Sequence, residues 1–255
     1  MVEKPYRIAV VGKGGVGKTM TTTLLAKVIV EEFDYKLLLI DADPTHPHLT
    51  NMVDLHPKRT LEQIRLEAVK KAHKKDSDAK NLAENIDFDV YQGLAESKQF
   101  CLFSIGQPET LGCFCPSNLL LRKVIESITS DFDLILIDCE AGLEQINRMV
   151  IRSIDYILIV TDISMRSIET AASLREGAKK FTHYKNLGVV INKAQGNIDI
   201  IKKRLEELDL PLVGIIPQDS AIMEFDLEGK PLFQLPNNSK SLQSLREIVK
   251  SILNK

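Results

Sequence analysis

Short apolar runs alternate along this chain with longer stretches in which apolar residues recur every three or four positions. That rhythm predicts strands separated by helices. The runs are Ile8–Val11, Leu37–Ile40, Phe88–Tyr91, Phe100–Ile105, Leu134–Ile137, Tyr156–Val160, Leu187–Ile191 and Leu212–Ile216. Helical spacing covers Lys18–Phe33, Leu61–Lys75, Pro116–Thr129, Leu143–Ser153, Ser164–Phe181, Asn197–Leu208 and Ser239–Leu253. Leu37–Ile40 and Leu134–Ile137 are continuously apolar, as expected of strands buried on both faces. The pattern therefore predicts an α/β fold in three layers, a mostly parallel sheet of about seven or eight strands with helices on both faces. No repeat or low-complexity linker interrupts it, and residues 1–255 read as a single domain.

The first run ends at Gly12-Lys13-Gly14-Gly15-Val16-Gly17-Lys18-Thr19, between a predicted strand and a predicted helix. This is the context that a phosphate-binding loop requires, and it makes the expected fold that of a P-loop nucleoside triphosphatase. Glycines let backbone N–H groups curl around phosphate oxygens, and the helix N-terminus favours the anion. Lys18 is expected on the β- and γ-phosphates of ATP, and the Thr19 hydroxyl on Mg²⁺. Residues 12–19 and the following Met20 form the candidate nucleotide-binding set.

Lys13 is unusual, because Lys18 already serves the phosphates from within the chain. On this octapeptide the chain resembles the deviant Walker A ATPases, which include the MinD and ParA positioning proteins, the nitrogenase iron protein and several metal-centre maturation ATPases. The resemblance implies that Lys13 reaches the partner subunit's nucleotide, so that ATP closes a homodimer. It also implies two switches. Asp43, in Asp41-Ala42-Asp43-Pro44, would orient the attacking water; with Lys13 and Lys18 it completes the catalytic candidates. Asp138, in Asp138-Cys139-Glu140-Ala141-Gly142, would hold the Mg²⁺ shell through water. Gly142 can offer its N–H near the γ-phosphate, and Glu140 stands where many relatives carry proline or glycine. Aspartates that end strands also serve as plain helix caps. Asn192 after the seventh run is implied at the adenine edge, or it is a turn residue. Pro217 after the eighth is implied beside the base.

Composition narrows the partners. The net charge is −2, tryptophan is absent and aromatic residues make up 5%, so neither a nucleic-acid interface nor a base-stacking platform is expected. The first seven residues lack the apolar core of a signal peptide, and no run approaches the ~20 residues of a membrane span, so a cytoplasmic location is expected. Lys58 to Lys80 carries eight basic and four acidic residues, read as a solvated helix or a docking face for an acidic partner. The C-terminal helix places Leu242, Leu245, Ile248, Val249, Ile252 and Leu253 on one face. That stripe suits either the sheet or a membrane surface.

Leu111-Gly112-Cys113-Phe114-Cys115-Pro116 carries the remaining chemistry. Two cysteines at i, i+2 in an extended loop direct both thiolates to one side, half of a four-sulfur site that a twofold dimer would complete. Soft thiolates suit Ni²⁺, Zn²⁺, Cu⁺ or an iron–sulfur cluster. A strained disulfide or two buried small hydrophobes are the alternatives. Cys101 and Cys139 are expected to be structural, and His46 and His48 to be surface or switch residues. A deviant Walker A chain of this length with Gly-Cys-x-Cys before a helix is similar to the CooC-type accessory proteins of carbon monoxide dehydrogenase and the related acetyl-CoA synthase maturation ATPases. The resemblance implies that Cys113 and Cys115 bind Ni²⁺ or Zn²⁺ between subunits and assist nickel insertion into a client nickel–iron–sulfur enzyme. A MinD- or ParA-like positioning ATPase is the alternative.

Overall fold

A computed structural model describes residues 5–43, 48–72, 89–106, 126, 128–139 and 153–253, and in it the apolar runs assemble into one sheet. Its strands are β1 (Tyr6–Gly12), β2 (Leu37–Ala42), β3 (Ala95–Glu96), β4 (Phe100–Ser104), β5 (Leu134–Cys139), β6 (Ser153–Thr161), β7 (His183–Ala194) and β8 (Leu212–Pro217). They lie in the order β3-β4-β2-β5-β1-β6-β7-β8. All neighbours pair in parallel except β3 with β4. From β1 the chain first builds toward β2 and β4, then returns to place β6, β7 and β8 on the other side. The carboxyl end of β1 therefore lies where the strand order reverses, the crevice in which open α/β sheets bind ligands.

The helices are α1 (Lys18–Glu32), α2 (His48–Val53), α3 (Leu61–Ala72), α4 (Met165–Phe181), α5 (Asp199–Glu207), α6 (Ser220–Leu227) and α7 (Lys240–Leu253), with a 3₁₀ turn at Leu232–Gln234. Strand alternation sorts the apolar residues between two cores. Ala9, Val11, Ile135, Ile137, Ile157 and Ile159 face the layer that includes Ile64 of α3, Ile168 of α4 and Leu205 of α5. Ile8, Val10, Leu134, Leu136 and Leu158 face α1 and α7. Both faces are covered, which is why the strands read as unbroken apolar runs.

The C-terminal helix belongs to the second core. Leu242, Leu245, Ile248, Val249, Ile252 and Leu253 are all buried, and α7 packs on β8 and α1. Gly214 of β8 permits this approach, since a Cβ there would lie 2.3 Å from Ile248 Cγ1. The apolar stripe is thus spent on the sheet. Among the described residues, no helix is long and apolar enough to cross a membrane.

One predicted strand is corrected. Phe88–Tyr91 was expected to be extended, yet residues 89–93 are helical, and Phe88 lies outside the described residues. Val90 turns into the first core and Gly93 comes against Ile64, while β3 takes the edge position beside β4. A run of four residues, here three apolar ones and Asp89, is too short for its periodicity to separate helix from strand. Of the helix predicted over Leu143–Ser153, Ser153 instead opens β6 and the remainder lies outside the described residues. The same holds for most of Pro116–Thr129, although residues 126, 128 and 129 are helical. The helix α2 and the helix α6 were not anticipated, both being too short to show a 3.6-residue period.

Candidate functional site

The loop between β1 and α1 is shaped by close contacts at two glycines. A Cβ on Gly12 would lie 2.2 Å from Val160 O, and one on Gly17 would lie 2.4 Å from Asn192 Nδ2. Gly17 also sits at φ 91°, in the left-handed region that glycine tolerates best, and forms the N-cap of α1. No side chain caps that helix end and its first turn holds no acidic residue, which leaves the N–H groups open to an anion. Val16 and Met20 are buried, whereas Gly14 and Gly15 are exposed at the loop's mouth. Lys13 lies between these extremes. Lys18 Nζ donates to Lys13 O at 3.2 Å, and this folds its ammonium over the loop.

Three aspartates lie beside the loop at the strand ends. Asp41 of β2 and Asp138 of β5 are register partners on adjacent strands, and both are buried. Asp138 Oδ1 accepts from Thr22 Oγ1 at 3.2 Å, and Thr19 also helps to hold the carboxyl ionised. Asp43 donates its backbone N–H to Asp41 Oδ1 at 3.1 Å. Asp41 Oδ2 is buried with no hydrogen-bond partner among the described residues. Burial pushes the Asp138 carboxyl up to about 6, against the pull of Thr19, Thr22 and the Lys18 charge. Asp41 rises to about 8, because the Asp138 charge adds to its burial.

This oxygen-rich set fits a hard divalent cation such as Mg²⁺. Among the described residues no group of three or more His, Cys, Asp or Glu side chains forms a metal site. Mg²⁺ characteristically uses one or two protein oxygens together with nucleotide phosphates and water. The Thr19 hydroxyl and, through water, Asp138 are the residues that would hold it. Asp41, with its unpartnered oxygen, was not singled out from sequence. Its signal was the Asp-x-Asp spacing, but only the register with β5 brings it beside Asp138.

The raised values make the ligand-free protein pH-sensitive. A carboxyl whose folded-state value lies above the ordinary 3.8 favours folding while protonated. That contribution is complete below about 3.8 and is lost as pH rises through about 6 for Asp138 and about 8 for Asp41. Asp41→Asn keeps the shape and removes the buried charge. It is expected to stabilise the nucleotide-free protein by ~1–3 kcal/mol near pH 9 and to change little near pH 4. Thermal denaturation across that range checks this; a difference independent of pH would refute it.

Asn192 and Lys193 close β7 on the other flank of the loop. Asn192 is buried; its Nδ2 donates to Val16 O at 2.7 Å and its Oδ1 accepts from Lys193 N at 2.8 Å. Lys193 Nζ donates to Gly15 O at 3.1 Å. Pro217 pairs with Ala194 on the adjacent strand, where Gln218 N donates to Ala194 O at 3.0 Å. The structure thus brings the loop, Asp43, Asp138, Asn192 and Pro217 to one end of the sheet.

Cys113, Cys115, Glu140, Gly142 and His46 lie outside the described residues, and His48 opens α2. Cys101 is a partly buried residue of β4, and Cys139 is buried at the end of β5 with its Sγ 3.7 Å from Ile137 O. Burial pushes both thiols up, away from the thiolate that binds metals. Both sit in strands of the sheet.

Comparison with known proteins places this geometry. Residues 8–232 match the model of the CobQ/CobB/MinD/ParA nucleotide binding domain. The chain belongs to this family of nucleotide-binding ATPases. It is 35% identical over 253 residues to an uncharacterized ATP-binding protein of Methanocaldococcus jannaschii, covering 97% of this chain and 98% of that one. It is 30% identical over 242 residues to the carbon monoxide dehydrogenase accessory protein CooC of Rhodospirillum rubrum, covering 90% of each. The cell division ATPase MinD of Pyrococcus furiosus superimposes with a TM-score of 0.69 at 23% identity, over 97% of this chain and 98% of that one, a likeness of fold.

Proposed function

We propose that this family member is a maturation ATPase whose ATP-driven homodimerisation assembles a metal site from Cys113 and Cys115 and assists nickel delivery to a nickel–iron–sulfur enzyme. The observation that carries this reading is Gly112-Cys113-Phe114-Cys115 in a chain 30% identical, over nine-tenths of its length, to a carbon monoxide dehydrogenase accessory protein. Residues 1–255 act as one unit, in the cytoplasm. The N–H groups of Gly14 to Thr19 and the Lys18 ammonium receive the phosphates, with Met20 behind them. Asp43 orients water for attack. Mg²⁺, when bound at Thr19 and Asp138, neutralises charge that develops on the phosphates. Asn192 and Pro217 border the nucleotide's far end, and Lys13 engages the partner's nucleotide. The membrane-positioning alternative drew on the apolar stripe of α7, which is buried in the core.

Two thiolates per chain satisfy half of a four-coordinate sphere, so one metal per dimer is expected to bind far more tightly than one per monomer. ATP and metal then favour the same closed state. Whatever factor ATP adds to metal affinity, metal adds to ATP affinity. Binding weakens in acid, because each thiol must lose its proton to ligate. Titration of Ni²⁺ and Zn²⁺ into wild type and a Cys113→Ala, Cys115→Ala variant, with and without a non-hydrolysable ATP analogue, while mass is recorded, tests this. One metal per monomer, or unchanged binding in the double variant, would sink the intersubunit site and leave an ATPase without this cargo.

A further inference from the structure

Three carbonyls of the phosphate loop are held by side-chain donors. Lys18 Nζ holds Lys13 O, Lys193 Nζ holds Gly15 O and Asn192 Nδ2 holds Val16 O. Two of these donors are consecutive residues of β7, 176 and 178 positions from the carbonyls they hold. The end of β7 is shaped for the task. Lys193 is a non-glycine residue at φ 55°, in the left-handed region, and the β7–β8 pairing shifts register between Ile191 and Ala194. Such an irregularity re-aims a side chain that a regular strand would point elsewhere. The Lys193 N–H in turn occupies Asn192 Oδ1, which leaves the amide nitrogen facing Val16 O. Gly17 makes room, because a Cβ there would collide with that nitrogen.

In a trans, planar peptide the C=O and the following N–H point in opposite directions. Holding Gly15 O toward Lys193 therefore turns the Val16 N–H away from Lys193, and holding Val16 O toward Asn192 turns the Gly17 N–H away from Asn192. We infer that Asn192 and Lys193 are positioning residues for phosphate binding, tie-bars that aim the Val16 and Gly17 N–H groups into the concavity that receives the nucleotide's phosphates. The inference rests on the ATP-binding reading above and deepens it. It gives Asn192 a task that differs from reading the adenine edge: the contribution must persist when no base is present.

The discriminating ligand is inorganic tripolyphosphate, which has phosphates and no base. Calorimetric affinities of the full chain for Mg²⁺·ATP and Mg²⁺·tripolyphosphate are compared among wild type, Lys193→Met, Lys193→Arg and Asn192→Leu. Lys193 is exposed, so its variants test the idea even if the buried Asn192 does not tolerate change. Lys193→Met keeps the stem and loses the donor; it should weaken both ligands by a similar factor of about 5–10, and Lys193→Arg should recover most of it. The loss should persist at about 0.5 M salt, where a simple charge effect would be screened. A loss confined to ATP, with tripolyphosphate unchanged, would mean that these residues serve the base and would overturn the inference. A loss that vanishes at high salt, or no loss at all, would overturn it while leaving ATP binding intact. Wild type that binds neither ligand would overturn the ATP reading and this inference together.

Discussion

Lys18→Ala is expected to abolish ATP hydrolysis. The Lys18 ammonium folds back over the loop onto Lys13 O in the ligand-free structure, where it is placed to meet phosphate oxygens that enter below it. Charge on those oxygens redistributes in the transition state, and a preorganised cation beside them acts in a site where water competes poorly. Its loss should cost ~2–4 kcal/mol of transition-state stabilisation, a fall in turnover of about 30- to 1000-fold. Lys18 also contributes to keeping Asp138 ionised, so the variant should raise the Asp138 value further and weaken the Mg²⁺ shell as well. Steady-state phosphate release measures the effect. Near-normal turnover in Lys18→Ala would overturn the assignment of the loop.

Lys13→Ala and Asp43→Ala are expected to separate dimerisation from hydrolysis. Lys13 sits at the loop's mouth beside exposed Gly14, and its backbone carbonyl accepts from Lys18 Nζ. If its side chain bridges to the partner's phosphates, Lys13→Ala should retain nucleotide as a monomer and fail to dimerise. Asp43 hangs from the same short segment as Asp41, tied by its own N–H to the Asp41 carboxyl. Removing its side chain should stall hydrolysis after closure, so that Asp43→Ala accumulates as a stable ATP-bound dimer. Sedimentation with ATP reads both variants at once. Normal dimerisation of Lys13→Ala would reduce the lysine to a local decoration.

The parts of the site that could be read along the chain are those whose geometry is local. Gly12 to Thr19 lies between β1 and α1 without interruption, so the glycine spacing, the helix N-terminus and Lys18 are brought together by backbone conformation alone. Continuous apolar runs at Leu37 and Leu134 announced buried parallel strands for a similarly local reason: both faces of such strands are covered, so no polar alternation survives. The run Phe88–Tyr91 failed because four residues, three of them apolar, are too short to show a period, and burial of Val90 satisfies a helix as well as a strand.

The C-terminal stripe was ambiguous between sheet and membrane because an amphipathic pattern states only that one face avoids water. Contact with β8 and α1 decided what covers it. Asp41 beside Asp138, 97 residues apart, follows from strand register, and no spacing in the sequence encodes which residues of two strands lie opposite. For Asn192 the sequence leaves the adenine edge and a turn open, and it holds no sign of the hydrogen bonds that the structure shows for its side chain, to Val16 O and Lys193 N, because these need a bulged strand end two strands from β1 to reach back over the loop. Sequence by itself determined the fold class and the phosphate loop, since both depend on periodicity and neighbouring residues. Tertiary structure alone decided which side chains hold that loop and which carboxylates share one low-dielectric pocket, because those contacts depend on strand order and register.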